Sequence, residues 1–307
     1  MRVAGIESLG GQVEMIEVAD PRTLRPGEVL IAVRAAGVGN WDDIVRGGGW
    51  DVGRKPPMAL GVEAAGVVAA VGPGGGGDWS VGDEVMTHPL PLADQGTWGP
   101  SVIVKAERLA RKPADVSWAQ AAAFPVPALT AVQALDALHA TPGETLLVNG
   151  AGGVTGGLIV SLGVARGLEV LATAGPSSRE HVLRAGATAV VDYHDPDWPQ
   201  EVLRATGGRG VDGAANTARG GAITALQAVR DGGRLATITS DPPGPERGIG
   251  VDSIYVRPDA AQLETASQYL GTGRLELTIG ASFPLEQADA ALNRASAGLG
   301  GAVVLEV

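Results

Sequence analysis

The first third of the chain alternates short apolar runs with turn residues. The apolar runs cover residues 29–33, 66–71 and 102–104, and glycine- and proline-rich turns separate them. Short runs at such spacing are typical of strands in a barrel or sandwich. We therefore predict a β-rich domain in this part of the chain.

From about residue 125 the pattern changes to alternating helical and strand-like segments. We predict helices over 128–138, 156–166, 177–185 and 223–229, and strands over 145–149, 169–173, 189–192, 211–216 and 234–239. Such alternation predicts a parallel sheet wrapped by helices. Two further helices, at 262–270 and 285–295, and a last apolar strand at 302–307 complete the chain. The predicted fold class is α/β, a doubly wound parallel sheet plus a β-rich domain.

Composition narrows the classes of function. The 307 residues carry 23 Lys and Arg against 34 Asp and Glu, a net charge of −11, which argues against a nucleic-acid or anionic-membrane partner. No cysteine is present, so disulfides, thiolate metal sites and a cysteine nucleophile are excluded. Neither a signal peptide nor an apolar stretch of membrane-spanning length is evident, and we expect a cytoplasmic protein.

One glycine-rich segment carries the strongest chemical signal. Residues 146–157 read LLVNGAGGVTGG, a buried strand that runs into a glycine turn and then a helix. Ala151, Gly153 and Gly156 give a variant of the dinucleotide fingerprint, in which small residues admit a pyrophosphate and a helix N-terminus binds it. The predicted cofactor contacts here are Gly150, Ala151, Gly152, Gly153, Val154, Thr155 and Gly156. The alternative is a glycine-rich turn without a ligand.

The end of the next strand distinguishes NAD from NADP. An NAD site places an acidic residue there, about 20 residues beyond the motif, to bind the ribose hydroxyls. Residues 171–179 read LATAGPSSR and contain no acid. Because Ser177, Ser178 and Arg179 suit a 2′-phosphate, we predict NADPH, with Thr173 and Ala174 lining the same edge. The alternative for Ser177 or Ser178 is a helix N-cap, and both roles are compatible.

Several ordered motifs resemble one enzyme superfamily. The matching segments are AGVGNWD at 36–42, LGVEAAGVV at 60–68, VGDEV at 81–85, AAAF at 121–124, LTA at 129–131, DY at 192–193 and GGRL at 232–235. Over essentially the whole chain the sequence resembles the medium-chain dehydrogenase/reductase superfamily. It is most similar to the zinc-independent quinone oxidoreductase branch, whose members are zeta-crystallin-like.

The resemblance implies an architecture and a cofactor. A GroES-like domain would comprise residues 1–122 and 266–307, and a Rossmann NADP-binding domain would comprise 123–265. NADPH would bind in the cleft between the domains, and the protein would be a homodimer. The zinc-dependent relatives take their first two ligands at the positions of Gly39 and Val62. Neither residue offers a donor atom to zinc, so we expect no metal.

The resemblance also implies a reaction, hydride transfer from NADPH to a quinone or an α,β-unsaturated carbonyl. It suggests Asn40 and Thr130 near the nicotinamide, with Tyr193 and Asn216 beside the cofactor. His88 is a candidate proton donor. Trp41, Trp50, Trp98 and Phe124 are candidate walls of an apolar acceptor pocket. The alternatives are a helix residue for Thr130, a loop residue for His88 and packing for Tyr193 and the aromatic side chains.

Two other functions stay open at this point. The first is an enoyl-thioester reductase of polyketide or fatty-acid metabolism, which a basic patch for a carrier phosphate would favour. The second is a non-catalytic protein that senses NADPH, since a fold alone does not imply turnover.

Overall fold

The structure is a computed structural model that describes residues 1–298 and 300–307. The chain divides into two compact units. The first comprises Met1–Val126, Arg257–Thr272 and Leu277–Val307, and the second comprises Pro127–Val256 and Gly273–Glu276. Among the described residues, no helix is both long and apolar enough to cross a membrane.

The first unit contains two sheets. Its strands are β1 (Arg2–Ile6), β2 (Glu14–Glu17), β3 (Glu28–Val38), β4 (Met58–Ala59), β5 (Ala64–Val71), β6 (Glu84–Thr87), β7 (Ser101–Lys105) and β8 (Leu109–Arg111). Two strands from the end of the chain join them, β15 (Ile279–Pro284) and β16 (Ala302–Glu306). The small sheet has the order β2-β1-β4, and the large one β15-β16-β3-β5-β6-β8 with β7 also on β3.

Strand β3 is the central strand of the large sheet, and its 11 residues are enough to pair with three other strands. Its first half pairs with β7, Glu28 opposite Lys105, and its last residues pair with β16, Val38 opposite Val303. The other edge pairs with β5 throughout. All three partners run antiparallel to β3. Because β16 is one of them, the last strand of the chain belongs to the same sheet as the early strands.

Short helices cover this unit. They are α1 (Asn40–Arg46), α2 (Trp118–Ala122), α8 (Ala260–Gly271) and α9 (Ala288–Ser296), and α3 (Pro125–Leu138) begins here and continues into the second unit. A capping box starts α2: the Ser117 hydroxyl accepts from Gln120 N–H and the Gln120 side chain accepts from Ser117 N–H.

The second unit is a six-stranded parallel sheet. Its strands are β9 (Thr145–Asn149), β10 (Glu169–Thr173), β11 (Ala189–Val191), β12 (Val211–Asn216), β13 (Val229–Thr237) and β14 (Gly250–Ser253). The order is β11-β10-β9-β12-β13-β14. Strand β9 is buried along its whole length, as expected for a parallel strand covered on both faces. The predicted fold class is confirmed.

Helices α4 (Val154–Ala165), α5 (Pro176–Arg184), α6 (Trp198–Ala205) and α7 (Ala222–Gln227) connect the strands. The sequence patterns did not predict α6, which buries Trp198 and Val202 in a core cluster that includes Leu147 of β9. The chain runs from β9 to β10 and β11 on one side, and then to β12, β13 and β14 on the other. The strand order therefore reverses between β9 and β12, where ligands bind in such sheets.

Candidate functional site

The glycine turn lies at this reversal point. It joins the end of β9 to α4, with Gly150 at φ +89° and Gly153 as the helix N-cap. A Cβ added at Gly156 would lie 2.3 Å from Gly150 O, so only glycine lets the helix pack this closely on the turn. At Gly153 the nearest atom would be 3.6 Å away, which leaves room beside the backbone.

The turn leaves several backbone donors at the start of α4 without an intrahelical partner. Gly150 N–H donates to Thr173 Oγ1 at 3.0 Å, and the first bond of α4 runs from Gly157 N–H to Gly153 O at 2.9 Å. The N–H groups of residues 154–156 precede that bond and have no intrahelical acceptor. Donors at a helix N-terminus bind phosphate groups, so this turn fits the pyrophosphate of a dinucleotide.

The residues after β10 adjoin the same turn. Ser178 lies over it, because a Cβ at Gly152 would be 2.9 Å from Ser178 Oγ. Gly175 is the N-cap of α5 and Pro176 occupies its first turn, so the alternative that Ser177 or Ser178 caps this helix is wrong. The exposed Ser177 and the half-buried Ser178 are therefore not engaged as caps.

Basic and aromatic groups surround Gly175. A Cβ there would lie 3.2 Å from His194 Cε1 and 3.4 Å from Tyr193 Oη. The exposed Arg179 donates one guanidinium N–H to the carbonyl of Val190. His194 Nδ1 lies 2.6 Å from the Asp192 carboxylate, and the proximity of His194 lowers the pKa of Asp192. The structure thus places Ser178 and Ala174 against the glycine turn and Tyr193 against Gly175, while Ser177 and Arg179 follow on α5.

A buried polar row extends across the carboxyl ends of four strands. Its members are the last residues of β10, β9, β12 and β13, Thr173, Asn149, Asn216 and Thr237, together with Thr239 and Asp241. Sequence reasoning predicted Asn216 and Thr173 as cofactor contacts but missed the other members. The signal was available: each of these apolar strands ends on a polar residue.

The bonds of this row are specific. Thr173 Oγ1 donates to Asn149 Oδ1 at 2.6 Å, and Asn149 Nδ2 donates to Asn216 Oδ1 at 2.8 Å. Asn216 Nδ2 donates to Thr237 Oγ1 at 3.1 Å and to Thr239 Oγ1 at 2.9 Å. Asn216 is fully buried, so in this structure its amide supports the strand ends from within.

In the first unit, the position of the Trp41 ring explains why residue 39 is a glycine. A Cβ at Gly39 would lie 2.2 Å from the Trp41 ring, so this ring occupies the space of any side chain at position 39. Asn40, the predicted nicotinamide contact, is exposed at the first position of α1. Thr130, the other such prediction, lies buried on α3 in the second unit.

The structure corrects the role predicted for His88. The side chain is buried, and its Nδ1 lies 2.7 Å from Val62 O, which can only accept. Burial, together with the nearby Arg108 charge, lowers the pKa of His88 to about 4, although the bond to Val62 O opposes the shift. At neutral pH the single ring proton is therefore on Nδ1 and is donated to Val62 O. His88 Nε2 carries a lone pair, so His88 is not a proton donor.

The four predicted pocket aromatics divide into two pairs. Trp41 and Trp50 are half-buried, and the Trp50 ring centroid is 6.2 Å from that of His88. Trp98 and Phe124 are completely buried, and Trp98 Nε1 donates to Gly37 O at 3.0 Å. A pocket wall needs exposed surface, so Trp98 and Phe124 are corrected to core residues.

Two buried carboxyl groups escaped the sequence analysis. Asp42 Oδ2 accepts from Gly39 N–H at 2.9 Å, and Glu63 Oε2 accepts from Val126 N–H at 2.8 Å, in the first turn of α3. Burial raises the pKa of Asp42 to about 8 and that of Glu63 well above its usual range. Burial therefore favours the protonated form of both acids. The signal for Glu63 was an isolated acid within an otherwise apolar segment, whereas Asp42, which precedes Asp43, gave no such signal.

The chemistry of the donors does not fit a zinc ion. Gly39 and Val62 hold the positions of the ligands in zinc-dependent relatives, and the chain has no cysteine. Among residues 1–298 and 300–307, no group of three or more His, Cys, Asp or Glu side chains could hold a metal ion.

Comparisons with known proteins agree with this geometry. The profile of the alcohol dehydrogenase GroES-like domain matches residues 25–114, and that of the zinc-binding dehydrogenase family matches residues 185–299. The chain belongs to the medium-chain dehydrogenase/reductase superfamily. As a member it is an NAD(P)-dependent oxidoreductase, although its residues do not provide the zinc site after which the second family is named.

Among curated proteins, the chain is similar to the phthioceranic/hydroxyphthioceranic acid synthase of Mycobacterium tuberculosis. The two are 33% identical over 233 residues, which make up 74% of this chain and 11% of the synthase. The chain thus spans about a tenth of the length of that relative.

Two solved structures align over the full length of both chains. An NAD-dependent alcohol dehydrogenase is 29% identical with a TM-score of 0.90. Mycobacterial Rv1454c complexed with NADPH is 25% identical with a TM-score of 0.86. The fold is also that of the quinone oxidoreductase from Coxiella burnetii, at a TM-score of 0.87 and 21% identity.

Proposed function

We propose that this superfamily member uses NADPH to reduce a quinone or an α,β-unsaturated carbonyl compound without a metal. One observation carries the proposal: Ser178 adjoins the glycine turn, Arg179 follows it on α5, and no acid follows β10 to bind ribose hydroxyls. Arg179 favours a cofactor with a 2′-phosphate, because a guanidinium fork matches phosphate oxygens. The NADPH complex of a structural relative gives independent support.

The bound nicotinamide would supply a hydride, and the chain's own residues would bind and orient. The N–H groups at the start of α4 would hold the pyrophosphate, while Ser177, Ser178 and Arg179 would hold the 2′-phosphate. Tyr193, which touches Gly175, would cover the adenosine end. Trp41 and Trp50, the two half-buried aromatics, would contact a flat acceptor.

Metal-free reduction restricts the acceptor. Without a Lewis acid, the negative charge that hydride transfer creates on oxygen must be delocalised or stabilised by N–H or O–H groups. Quinones and conjugated carbonyl compounds delocalise this charge themselves, whereas a simple ketone depends on a proton donor at its oxygen. The donor set, which cannot hold zinc, therefore supports a conjugated acceptor over an ordinary alcohol or ketone.

A second candidate is the reduction of an enoyl thioester. The similarity to the mycobacterial synthase, at 33% identity over 74% of this chain, favours it. The two reactions share the cofactor and the conjugated carbonyl, and they differ in the group attached to the carbonyl carbon.

Oxidation of NADPH at 340 nm with a small set of acceptors tests both candidates. The set comprises 1,4-benzoquinone, 9,10-phenanthrenequinone, 2-nonenal and crotonyl-CoA, with NADH as the parallel donor and a chelator control. We expect turnover with NADPH and a conjugated acceptor, unchanged by the chelator. Turnover of crotonyl-CoA alone would select the thioester reaction. Preference for NADH, or loss of activity with the chelator, would overturn the proposal.

A further inference from the structure

His88 and Arg108 lie just beyond the paired ends of β6 and β8, and Arg108 is the last residue of a 3-10 helix, Ala106–Arg108. Strands β6 and β8 pair with Thr87 opposite Leu109, so the next pair outward is His88 and Arg108. The Thr87 hydroxyl donates to Arg108 O at 3.0 Å, which holds Arg108 beside the end of β6. The Arg108 charge contributes to lowering the pKa of His88, so the two side chains are close to each other.

Each of these two side chains keeps one buried nitrogen atom without a partner among the described residues. The atoms are His88 Nε2 and Arg108 Nε. Other bonds hold both groups in place: His88 Nδ1 bonds to Val62 O at 2.7 Å and Arg108 Nη1 donates to Pro258 O at 2.9 Å.

The bond to Val62 directs His88 Nε2 away from Val62. Val62 lies just before β5, which pairs with one edge of β6, while Arg108 lies just before β8, which pairs with the other edge. The two ring nitrogens of an imidazole point in nearly opposite directions. Because Nδ1 bonds to Val62 O on the β5 side, Nε2 points away from that side, and Arg108 is the charged neighbour beyond the other edge of β6.

The two unpartnered atoms are chemically complementary to one kind of group. Arg108 Nε can only donate, and His88 Nε2, in the tautomer fixed by Val62 O, can only accept. A ketone oxygen would accept from Arg108 but could not donate to His88, and an ammonium group would repel Arg108. An oxygen that carries a hydrogen satisfies both, and leaving both atoms unpaired would be costly.

We propose that His88 Nε2 and Arg108 Nε together bind one hydroxyl oxygen, supplied by the organic acceptor or by a water molecule. The half-buried Trp50, with its ring 6.2 Å from that of His88, offers apolar surface beside this hydroxyl site for the rest of an organic molecule. The inference that an organic acceptor supplies the hydroxyl rests on the proposed function, whereas the inference that a hydroxyl binds here does not.

Paired acceptors that differ by one hydroxyl distinguish the sources. The pairs are 4-hydroxy-2-nonenal with 2-nonenal, and 6-hydroxy-1,4-naphthoquinone with 1,4-naphthoquinone. The ratio of kcat/KM within a pair is compared among the wild type, His88→Phe, Arg108→Met and the control Arg111→Met, whose exposed side chain lies at the end of β8. Intrinsic reactivity cancels between proteins because each ratio is compared with the wild-type ratio.

If the acceptor supplies the hydroxyl, the ratio falls by about tenfold in both test variants, the effect of losing one buried hydrogen bond, and not in the control. If water supplies it, the ratios stay constant, and a crystal structure of the wild type contains an ordered oxygen within 3.2 Å of both nitrogen atoms. Constant ratios together with no such oxygen would overturn the hydroxyl site. Should no acceptor be reduced, the proposed function fails, and the crystal structure alone decides on the site.

Discussion

Asn149 Nδ2 donates a 2.8 Å hydrogen bond to Asn216 Oδ1 between the last residues of β9 and β12. This bond crosses the point where the strand order reverses, beneath the glycine turn that starts at Gly150. Thr217 Oγ1, next along the chain, donates to Gly150 O at 3.0 Å. A side-chain amide from one strand thus fixes the position of the turn that follows its neighbour, which is what a preformed phosphate site requires.

The polar row should tolerate no carboxylate at its centre. In Asn216→Asp an oxygen replaces the donor Nδ2 opposite Ala218 O, which Nδ2 contacts at 3.1 Å. The loss of a donor and the repulsion between acceptors should reduce the free energy of unfolding by about 2 kcal/mol. Urea unfolding measures it, with the exposed Asn293→Asp as control. Equal effects of the two substitutions would mean that the row adds nothing to stability.

Two adjacent glycines should differ sharply in cofactor binding. Gly156→Ala forces a Cβ to within 2.3 Å of Gly150 O and must displace the glycine turn, whereas the nearest backbone atom at Gly157 is 3.7 Å away. We expect Gly156→Ala to weaken NADPH binding at least tenfold and Gly157→Ala to leave it unchanged. Isothermal titration gives both dissociation constants. Equal binding by both variants would contradict a pyrophosphate site at this turn.

Arg179 should select between the two nicotinamide cofactors. Arg179→Met removes a positive charge beside the predicted 2′-phosphate and should raise the Kd for NADPH about tenfold, with that for NADH nearly unchanged. Arg184→Met, at the other end of α5 and paired with Glu180, is the matched control. A parallel loss of affinity for both cofactors would indicate that Arg179 acts only through its bond to the Val190 carbonyl.

Protonated Asp42 should make stability depend on pH. Burial raises its pKa to about 8, so the folded state keeps a proton that the unfolded state releases near pH 4. This contribution is complete below pH 4 and is lost as the pH rises toward 8, by up to about 1.4 kcal/mol per pH unit. Asp42→Asn should flatten the decline in unfolding free energy between pH 5 and 7.5.

The neighbouring Asp43→Asn is the control for this pH dependence, because Asp43 forms a surface ion pair with Arg46 at 2.7 Å. It should leave the slope as in the wild type. Identical slopes in wild type and Asp42→Asn would show that Asp42 is ionised in the folded protein.

Substitutions at positions 39 and 41 should have coupled effects on the stability of the protein. Gly39→Asn alone places a side chain against the Trp41 ring, which lies 2.2 Å from the added Cβ, and should destabilise the first unit. Combined with Trp41→Ala, the same change should cost far less. A double-mutant cycle in thermal unfolding measures the coupling, and additive effects would contradict the overlap.

The sequence predicted best the features that depend on neighbours in the chain. The strands 145–149, 169–173 and 211–216 were predicted with their observed ends, because apolar runs bounded by turn residues define buried parallel strands. Helix α6 was missed because it has only 8 residues and its start lies within an acidic, proline-containing turn.

The residues of the candidate functional site followed the same rule: those contiguous in the chain could be predicted, and those that depend on distant residues could not. The glycine turn could be predicted because its strand, turn and helix are contiguous. The tautomer of His88 could not, since it depends on Val62, 26 residues away, and the bond between Asn149 and Asn216 joins residues 67 positions apart. Burial of Trp98 and Phe124 likewise depends on the packing of distant strands, which aromatic composition does not reveal.

The hydrogen bonds of the polar row all run in the same donor-to-acceptor direction. From Gly150 N–H through Thr173, Asn149 and Asn216 to the threonine hydroxyls, each group accepts from the one before and donates to the one after, and Asp241 only accepts. If one side chain exchanged its donor and acceptor atoms, two donors or two acceptors would lie opposite each other. The direction of the hydrogen bonds could therefore reverse only if all members changed together. The carboxyl edge of the sheet therefore behaves as one aligned array of dipoles, anchored at Asp241 and ending at the turn.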